Sequence, residues 1–196
     1  CVHRAGHLLA LGAGPVSDGP AVAAQRGQRR RSRYSPTLTV VMLIALAGTF
    51  LKTGECEKEL MAVVGRYDRI AQGLGLGSEI VKDIENNLRT RVSLGFDNKE
   101  KFVDRMKAAG EDNSARLVAK YLQFKGYDAK YINPKDAGLY LSDEYGNARV
   151  LPQSFKNLSK LKKMDGLLIF PGFFGYSLTG EVVTFPRGGS DITGSI

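Results

Sequence analysis

The run Leu167–Phe170 constrains the fold more than any other stretch of the sequence. It consists of four consecutive apolar residues, entered through the turn Asp165-Gly166 and stopped by Pro171-Gly172. A strand that has no polar residue on either face has to be covered on both faces, as the inner strands of parallel sheets are. The sequence therefore predicts a parallel sheet between helices, which is an α/β fold.

The segments around this run are typical of amphipathic helices. Apolar residues recur at i, i+3 and i+4 spacing, and glycine or capping residues separate one periodic stretch from the next. Gly110 is expected to interrupt one stretch, which Asp97 or Asn98 is expected to cap. The predicted helices are Met42–Leu51, Glu55–Gly73, a helix capped by Ser78 and ending near Val92, Asn98–Ala109, Asp112–Phe124 and Gln153–Met164.

Short strands alternate with helices in the second half of the chain. This alternation indicates a largely parallel sheet, and ligands bind at the carboxyl ends of the strands in such sheets. Two segments occupy that position, Pro171–Gly175 and Arg187–Asp191. Besides Leu167–Phe170, the predicted strands are Ala129–Ile132, Leu139–Leu141, Ala148–Val150 and Glu181–Phe185.

Basic charge is concentrated at the start of the chain. The net charge is +8, but residues 1–40 hold six arginines, no lysine and one acid, Asp18, so they account for +5 and leave +3 for the other 156 residues. No aromatic residue is interleaved within Arg26–Arg33, as nucleic-acid binding would favour. We therefore predict no nucleic-acid partner. Residues 1–36 lack sustained periodicity, and we predict no regular structure for them.

An uncharged stretch raises the alternative of a membrane segment. Tyr34–Leu51 follows the arginines and contains no charge, which resembles the basic and apolar regions of a signal peptide. Its strongest apolar run, Val40–Ala47, is eight residues long and too short to span a bilayer. We favour a buried helix and predict no membrane partner.

The cysteines give no sign of a metal or disulfide framework. Cys1 and Cys56 are the two cysteines of the sequence, neither belongs to a CxxC motif, and no histidine is near Cys56. A structural zinc site is therefore not expected, and no other metal site is predicted from the protein's own residues. Free thiols fit a reducing cytoplasm.

Arg187–Asp191 is the pentapeptide with the most chemistry. Gly188 and Gly189 permit positive φ and a close backbone approach to a ligand. Arg187 offers a bidentate fork for a carboxylate or phosphate, and the helix expected to open at Asp191 offers free N–H groups. A turn with an N-capping Ser190 or Asp191 explains the same residues without function, and spacing alone leaves the two interpretations open.

Four motifs, taken in their order, resemble the aspartate kinases of the amino-acid kinase family. The resemblance extends from about Met42 to Ile196, some four-fifths of the chain. The motifs are Gly110-Glu111-Asp112-Asn113, Asn133-Pro134-Lys135-Asp136-Ala137-Gly138, Ile169-Phe170-Pro171-Gly172-Phe173-Phe174-Gly175, and Phe185-Pro186-Arg187-Gly188-Gly189-Ser190-Asp191-Ile192-Thr193-Gly194-Ser195.

The resemblance implies a three-layer αβα amino-acid kinase-like fold with a mostly parallel sheet, incomplete at both ends. It implies a cytoplasmic enzyme that transfers the γ-phosphoryl group of ATP, with Mg²⁺, to the β-carboxylate of L-aspartate, the first step toward lysine, threonine and methionine. For the full-length family member it also implies a homo-oligomer.

The resemblance also implies roles for individual residues. Glu111 matches the acid that binds the substrate ammonium group, and Arg187 and Ser190 match contacts to the substrate carboxylate. Asp191 matches the catalytic acid beside the phosphates. Four glycines match the loops that approach the phosphates: Gly172, Gly175, Gly188 and Gly189.

The start of the chain departs from the family pattern. The family opens with a strand ending in Lys-Phe-Gly-Gly followed by Ser or Thr, and no such string occurs in residues 1–40. We therefore divide the chain into an unmatched basic segment, 1–40, and a partial catalytic domain, 41–196. Since phosphate-holding parts are missing, we expect the fragment itself to be inactive.

Two other functions remain open at the level of sequence. One is another member of the same family, which phosphorylates glutamate, acetylglutamate or a nucleotide. The other is a non-catalytic, membrane-directed remnant. Glu111 combined with Arg187–Asp191 favours aspartate as the substrate.

Overall fold

A computed structural model describes residues 8–11 and 36–196 of the protein. The strands are β1 Leu8–Leu11, β2 Ala129–Tyr131, β3 Leu167–Pro171, β4 Phe174–Tyr176 and β5 Val182–Thr184. The α-helices are α1 Pro36–Thr53, α2 Glu57–Gly73, α3 Glu79–Ser93, α4 Lys99–Phe124, α5 Pro134–Ala137, α6 Pro152–Leu158 and α7 Gly189–Ser195, and a 3-10 helix spans Ser159–Lys163.

The central strand is β3, which pairs in parallel with β1 on one side and β2 on the other. On one face of the sheet, Ile169 packs against Ala115 and Ala119 of α4. On the other face, Leu168 and Phe170 pack in a cluster that includes residues of α6, the 3-10 helix and α7. The prediction of an inner parallel strand between two helical layers is confirmed.

The first four helices share one apolar core. Within it, α4 is a single helix of 26 residues, so the predicted interruption at Gly110 is wrong. Gly110 is instead a contact point, because a Cβ there would lie 3.0 Å from Leu43 Cδ1 and 3.3 Å from Val40 Cγ2 of α1. A glycine inside a helix costs about 1 kcal/mol relative to alanine, and here it lets two helices pack closely.

Most of the uncharged stretch lies in the helix α1, which begins at Pro36 rather than Met42. Leu43, Leu46 and Ala47 are fully buried in the helical core, as the buried-helix interpretation requires. No helix in the described ranges combines the length and apolar content needed to cross a membrane. The boundary drawn at residue 40 falls inside this helix.

The expectation of no regular structure in residues 1–36 is wrong at β1. Leu8–Leu11 is an apolar run of strand length, and it pairs with β3 from Leu8↔Leu168 to Leu11↔Pro171. The run is hard to recognise in the sequence because glycine-rich and arginine-rich residues follow it. The rest of that segment, before α1, lies outside the described residues.

Other element boundaries also differ from the predictions. Leu139–Leu141 and Ala148–Val150 form isolated bridges rather than strands. Gln153–Met164 divides into α6 and the 3-10 helix. Of the predicted caps, Asn98 is confirmed, since its side chain accepts a hydrogen bond from Lys101 N, whereas Ser78 precedes α3 without a side-chain cap.

Candidate active site

Glu111 faces the end of β3 from the middle of α4. Its carboxylate accepts a hydrogen bond from the backbone N–H of Gly172, the residue that follows β3. Burial raises the pKa of Glu111 to about 7, and the Gly172 hydrogen bond acts in the opposite direction. A carboxyl group with this pKa exchanges its proton near neutral pH.

The turn after β3 is fixed to the segment that follows β5. Phe173 adopts a left-handed backbone with φ of 54°, a conformation that costs energy in a residue with a bulky side chain. Its N–H donates to Thr193 Oγ1 at 3.2 Å, and its carbonyl accepts from Phe185 N at 2.9 Å. The segments that follow β3 and β5 therefore lie together. The expectation that both follow strands of one parallel sheet is wrong, because β5 pairs antiparallel with β4 in a separate two-stranded sheet.

Glycines allow this meeting. A Cβ on Gly172 would lie 2.9 Å from Ser190 Oγ, and a Cβ on Gly189 would lie 2.6 Å from Phe185 Cβ and 3.1 Å from the Phe173 backbone. Both positions therefore require glycine because protein atoms crowd them. Ser190 lies against Gly172, and Gly172 holds Glu111, so the Glu111 and Arg187–Asp191 motifs are joined through one residue.

The other two predicted glycines behave differently. Gly175 lies in β4, where a Cβ would meet Leu139 O at 2.9 Å. Gly188 has φ of 82°, and a Cβ there would meet no atom within 4 Å, so its conformation rather than crowding favours glycine. Roles for these glycines in phosphate binding stay predictions.

A cleft of about 590 Å³ opens beside this junction. It contains Arg187, Ser190 and Asp191, the three predicted side chains of the C-terminal motif. Glu111 and Gly175 do not line it directly. The lining residues are Lys107, Gly146, Phe173, Thr184, Phe185, Pro186, Arg187, Gly188, Gly189, Ser190 and Asp191.

Asp191 lies in the first turn of α7, which begins at Gly189, two residues earlier than predicted. Its backbone N–H donates to Gly188 O at 3.0 Å, and Ile192 N donates to the same oxygen at 3.1 Å. These bonds fix the turn between β5 and α7. The Asp191 carboxylate is thereby positioned at the cleft by backbone geometry.

Sequence reasoning missed Lys107 and Asp104, which precede Glu111 on α4. Asp104 is fully buried, and its Oδ2 accepts hydrogen bonds from Gly146 N at 2.7 Å and Thr184 N at 2.9 Å. Its Oδ1 lies 3.6 Å from Lys107 Nζ, at the cleft. The signal in the sequence was the spacing, since Lys107 is four residues before Glu111 and so on the same helix face.

Asp112, the residue after Glu111, belongs to a buried polar cluster. Its Oδ2 accepts from Arg91 at 2.8 Å, and its Oδ1 accepts from the Tyr131 hydroxyl and lies 3.6 Å from Arg116 Nε. Burial, followed by the Asp112 charge, raises the pKa of Tyr131. Among the described residues, Asp104 and Asp112 thus have cationic partners, whereas Glu111 has the Gly172 N–H and no salt bridge.

Comparison with known proteins identifies, along almost the whole chain, the family that the sequence motifs resemble. Residues 8–196 match the model of the amino acid kinase family. The chain is 52% identical to aspartokinase 3 of Bacillus subtilis over 155 residues, which are 79% of this chain and 34% of that protein. It is 34% identical to an aspartokinase of Geobacillus stearothermophilus over 46% of this chain and 22% of that protein.

Solved structures agree at the level of the fold. Escherichia coli aspartokinase III, in a complex with aspartate and ADP, superposes with a TM-score of 0.65 at 24% identity over 78% of this chain and 36% of that one. The aspartate kinase of Clostridium acetobutylicum gives 0.63 at 22% identity, over 86% and 35% respectively. The chain therefore spans about a third of the length of these relatives.

Proposed function

The chain belongs to the amino acid kinase family, and we propose that it is the aspartate-binding part of the catalytic domain of an aspartate kinase. The reaction is transfer of the γ-phosphoryl group of ATP to the β-carboxylate of L-aspartate. The observation that supports this most is the junction at Gly172, which contacts both Glu111 and Ser190. An acid for an ammonium group and a basic loop for a carboxylate are thereby neighbours.

The charges of the site match a small zwitterion. L-aspartate has one ammonium group and two carboxylates, so it needs one anionic partner and cationic or hydrogen-bonding partners at the other end. Glu111 has no salt-bridge partner among the described residues and is free to take the ammonium group. Arg187 and Ser190 line the cleft and take a carboxylate, Arg187 through its planar fork.

Asp191 is proposed to act on the chemical step. Phosphoryl transfer depends on positioning and on neutralising charge around the transferred group. Mg²⁺ is commonly held by one or two carboxylates together with substrate phosphates, and Asp191 is a carboxylate at the cleft beside Gly188 and Gly189. Bound Mg²⁺ supplies charge neutralisation, and Asp191 is the residue that would hold it. The described ranges contain no cluster of three acidic, histidine or cysteine ligands.

The relatives support the choice of aspartate over other substrates of the family. Proteins of Bacillus subtilis, Geobacillus stearothermophilus and Helicobacter pylori that match this chain are aspartokinases, and one structural neighbour was solved with aspartate and ADP. With this function we propose a cytoplasmic enzyme that assembles as a homo-oligomer.

A chimera provides the test. The 155 residues of this chain that match would replace their counterparts in Bacillus subtilis aspartokinase 3, and ADP release would be followed with MgATP and each amino acid. We expect aspartate-dependent turnover in the usual range of about 1–10³ s⁻¹ and none with glutamate or acetylglutamate. A folded chimera that releases ADP with glutamate alone, or with no amino acid, contradicts the proposal.

A further inference from the structure

We propose that Lys107 is a second cationic contact for the substrate of this cleft, binding an anionic oxygen of a carboxylate or of the phosphoryl group. No motif identified in the sequence includes it. The identity of the substrate rests on the proposed function, whereas the existence of an anion-binding lysine does not.

Lys107 shares the cleft with the C-terminal motif. It lines the same cavity as Arg187, Ser190 and Asp191, although it comes from α4 and they come from the segment after β5. Its side chain is 32% exposed, so the ammonium group can be reached from the cleft. Two cations from different elements, Lys107 and Arg187, therefore border one space.

Asp104 anchors Lys107 without saturating it. The Nζ–Oδ1 distance of 3.6 Å is longer than the roughly 2.7–2.9 Å of a charge-assisted hydrogen bond, and an ammonium group has three N–H donors. Asp104 is itself satisfied by Gly146 N and Thr184 N. The lysine is thus held at the cleft with donors available for a ligand.

The positions of the charged residues on α4 suit a dicarboxylate with one ammonium group. Lys107 and Glu111 lie on one helix face, about 6 Å apart along the axis; Glu111 is next to Gly172, and Lys107 shares the cleft with Arg187. Glu111 would bind the substrate's ammonium group, and Arg187 would bind one of its carboxylates. The remaining anionic group of the substrate, or the phosphoryl group it receives, needs a further cation, and Lys107 is the one in the cleft lining that remains.

The test compares two lysines of the same helix in the chimera. Lys101 pairs with Asp97 and Glu181 and does not line the cleft, so Lys101→Met is the matched control. We expect Lys107→Met to change a kinetic constant about tenfold, the lower end of the loss of a charge-assisted contact, and Lys107→Arg to restore most of it. A rise in KM for aspartate assigns the contact to a carboxylate, and a fall in kcat at unchanged KM assigns it to the phosphoryl group.

Thermal stabilisation by succinate and by inorganic phosphate gives a readout that does not need turnover. We expect Lys107→Met to lose the stabilisation that one of these anions gives the parent chimera, and Lys101→Met to keep it. If the parent shows no aspartate-dependent turnover, but an anion stabilises it and does not stabilise Lys107→Met, the proposed function fails while the inference for Lys107 holds. If Lys107→Met matches the parent in kinetics and anion binding, or loses activity only as far as Lys101→Met does, the inference is overturned.

Discussion

The helical layer of α1–α4 and the turns that follow β3 and β5 are held together by different contacts. The helical layer is stabilised by apolar side chains, with Leu46, Val63, Ile84, Leu88 and Phe102 all fully buried. The turns are held by backbone hydrogen bonds, such as Phe185 N to Phe173 O, and by glycines against which other residues pack.

This difference separates stability from function. Apolar burial contributes most of the free energy of folding, so the helical layer should govern stability. The turns present polar side chains to a cleft, where they are exposed enough to meet a ligand. Glu111 belongs to both regions, because α4 carries it and Gly172 of the first turn binds it. Substitutions can therefore test each region alone and then their connection.

The largest effect on stability is expected from Phe102→Ala. Phe102 is fully buried and stacks on Phe50 at 5.1 Å between ring centroids, and removing a buried phenylalanine costs about 3–5 kcal/mol. Urea unfolding followed by circular dichroism measures it. Phe96, which touches the same ring but is 42% exposed, is the control, and Phe96→Ala should cost less than half as much. Equal losses of stability in the two variants would show that the burial of the Phe102 ring does not account for its contribution.

In the cleft, Asp191→Asn should lower the catalytic rate and leave the stability of the protein unchanged. The urea midpoint should stay near that of the parent, since the turn is held by backbone bonds. In the chimera, kcat should fall about 100-fold, the usual loss when one electrostatic contact to a transition state is removed, with KM for aspartate little changed. Asp143→Asn, at an exposed loop position, should leave kcat unchanged. A normal kcat in Asp191→Asn would remove this residue from the mechanism.

Arg187→Ala should act on binding. Losing a charge-assisted contact costs about 1.5–3 kcal/mol, so KM for aspartate in the chimera should rise about tenfold or more while the midpoint of urea unfolding stays constant. Arg149, 80% exposed and 3.8 Å from Glu144, provides an arginine control outside the cleft lining. A fall in stability that accounts for the loss of activity would place Arg187 with the structural residues instead.

The same division explains what could be predicted from sequence. Apolar periodicity and the Leu167–Phe170 run predict helices and a buried parallel strand, because burial repeats with the period of each element. The local pattern gives no sign that Gly110 packs against Leu43, since that contact joins residues 67 positions apart in sequence. The break predicted at Gly110 followed from treating a tertiary contact as a local signal.

The candidate site shows the same limit. Arg187, Ser190 and Asp191 can be found in the sequence because they are adjacent there, and the structure gathers them at one cleft. Asp104 cannot be recognised in the sequence, because its hydrogen-bond partners, Gly146 N and Thr184 N, lie 42 and 80 positions away. Backbone donors leave no trace in a sequence motif, so a buried carboxylate that they satisfy looks like any helical surface acid.

The smallest effect, and the one that tests the connection between the two regions, is the pH dependence of aspartate binding. Burial holds the pKa of Glu111 at about 7, against an ordinary value near 4.5 in the unfolded chain. The unliganded folded state therefore keeps a proton that the unfolded state releases, so the stability due to Glu111 falls as the pH rises from about 4.5 to 7 and is constant above.

Binding of an ammonium group should follow the opposite trend, because it requires the ionised carboxylate. With a pKa of about 7, roughly a tenth of Glu111 is ionised at pH 6 and roughly nine tenths at pH 8, so aspartate should bind the chimera about tenfold more tightly at pH 8 than at pH 6. Isothermal titration calorimetry at the two pH values measures the difference. Glu111→Gln should bind weakly with no pH dependence, which separates the titration of Glu111 from that of the histidines in the rest of the chimera. If the glutamine variant keeps the tenfold change, the titrating group lies elsewhere, and the carboxylate that joins the helical layer to the cleft is a structural residue.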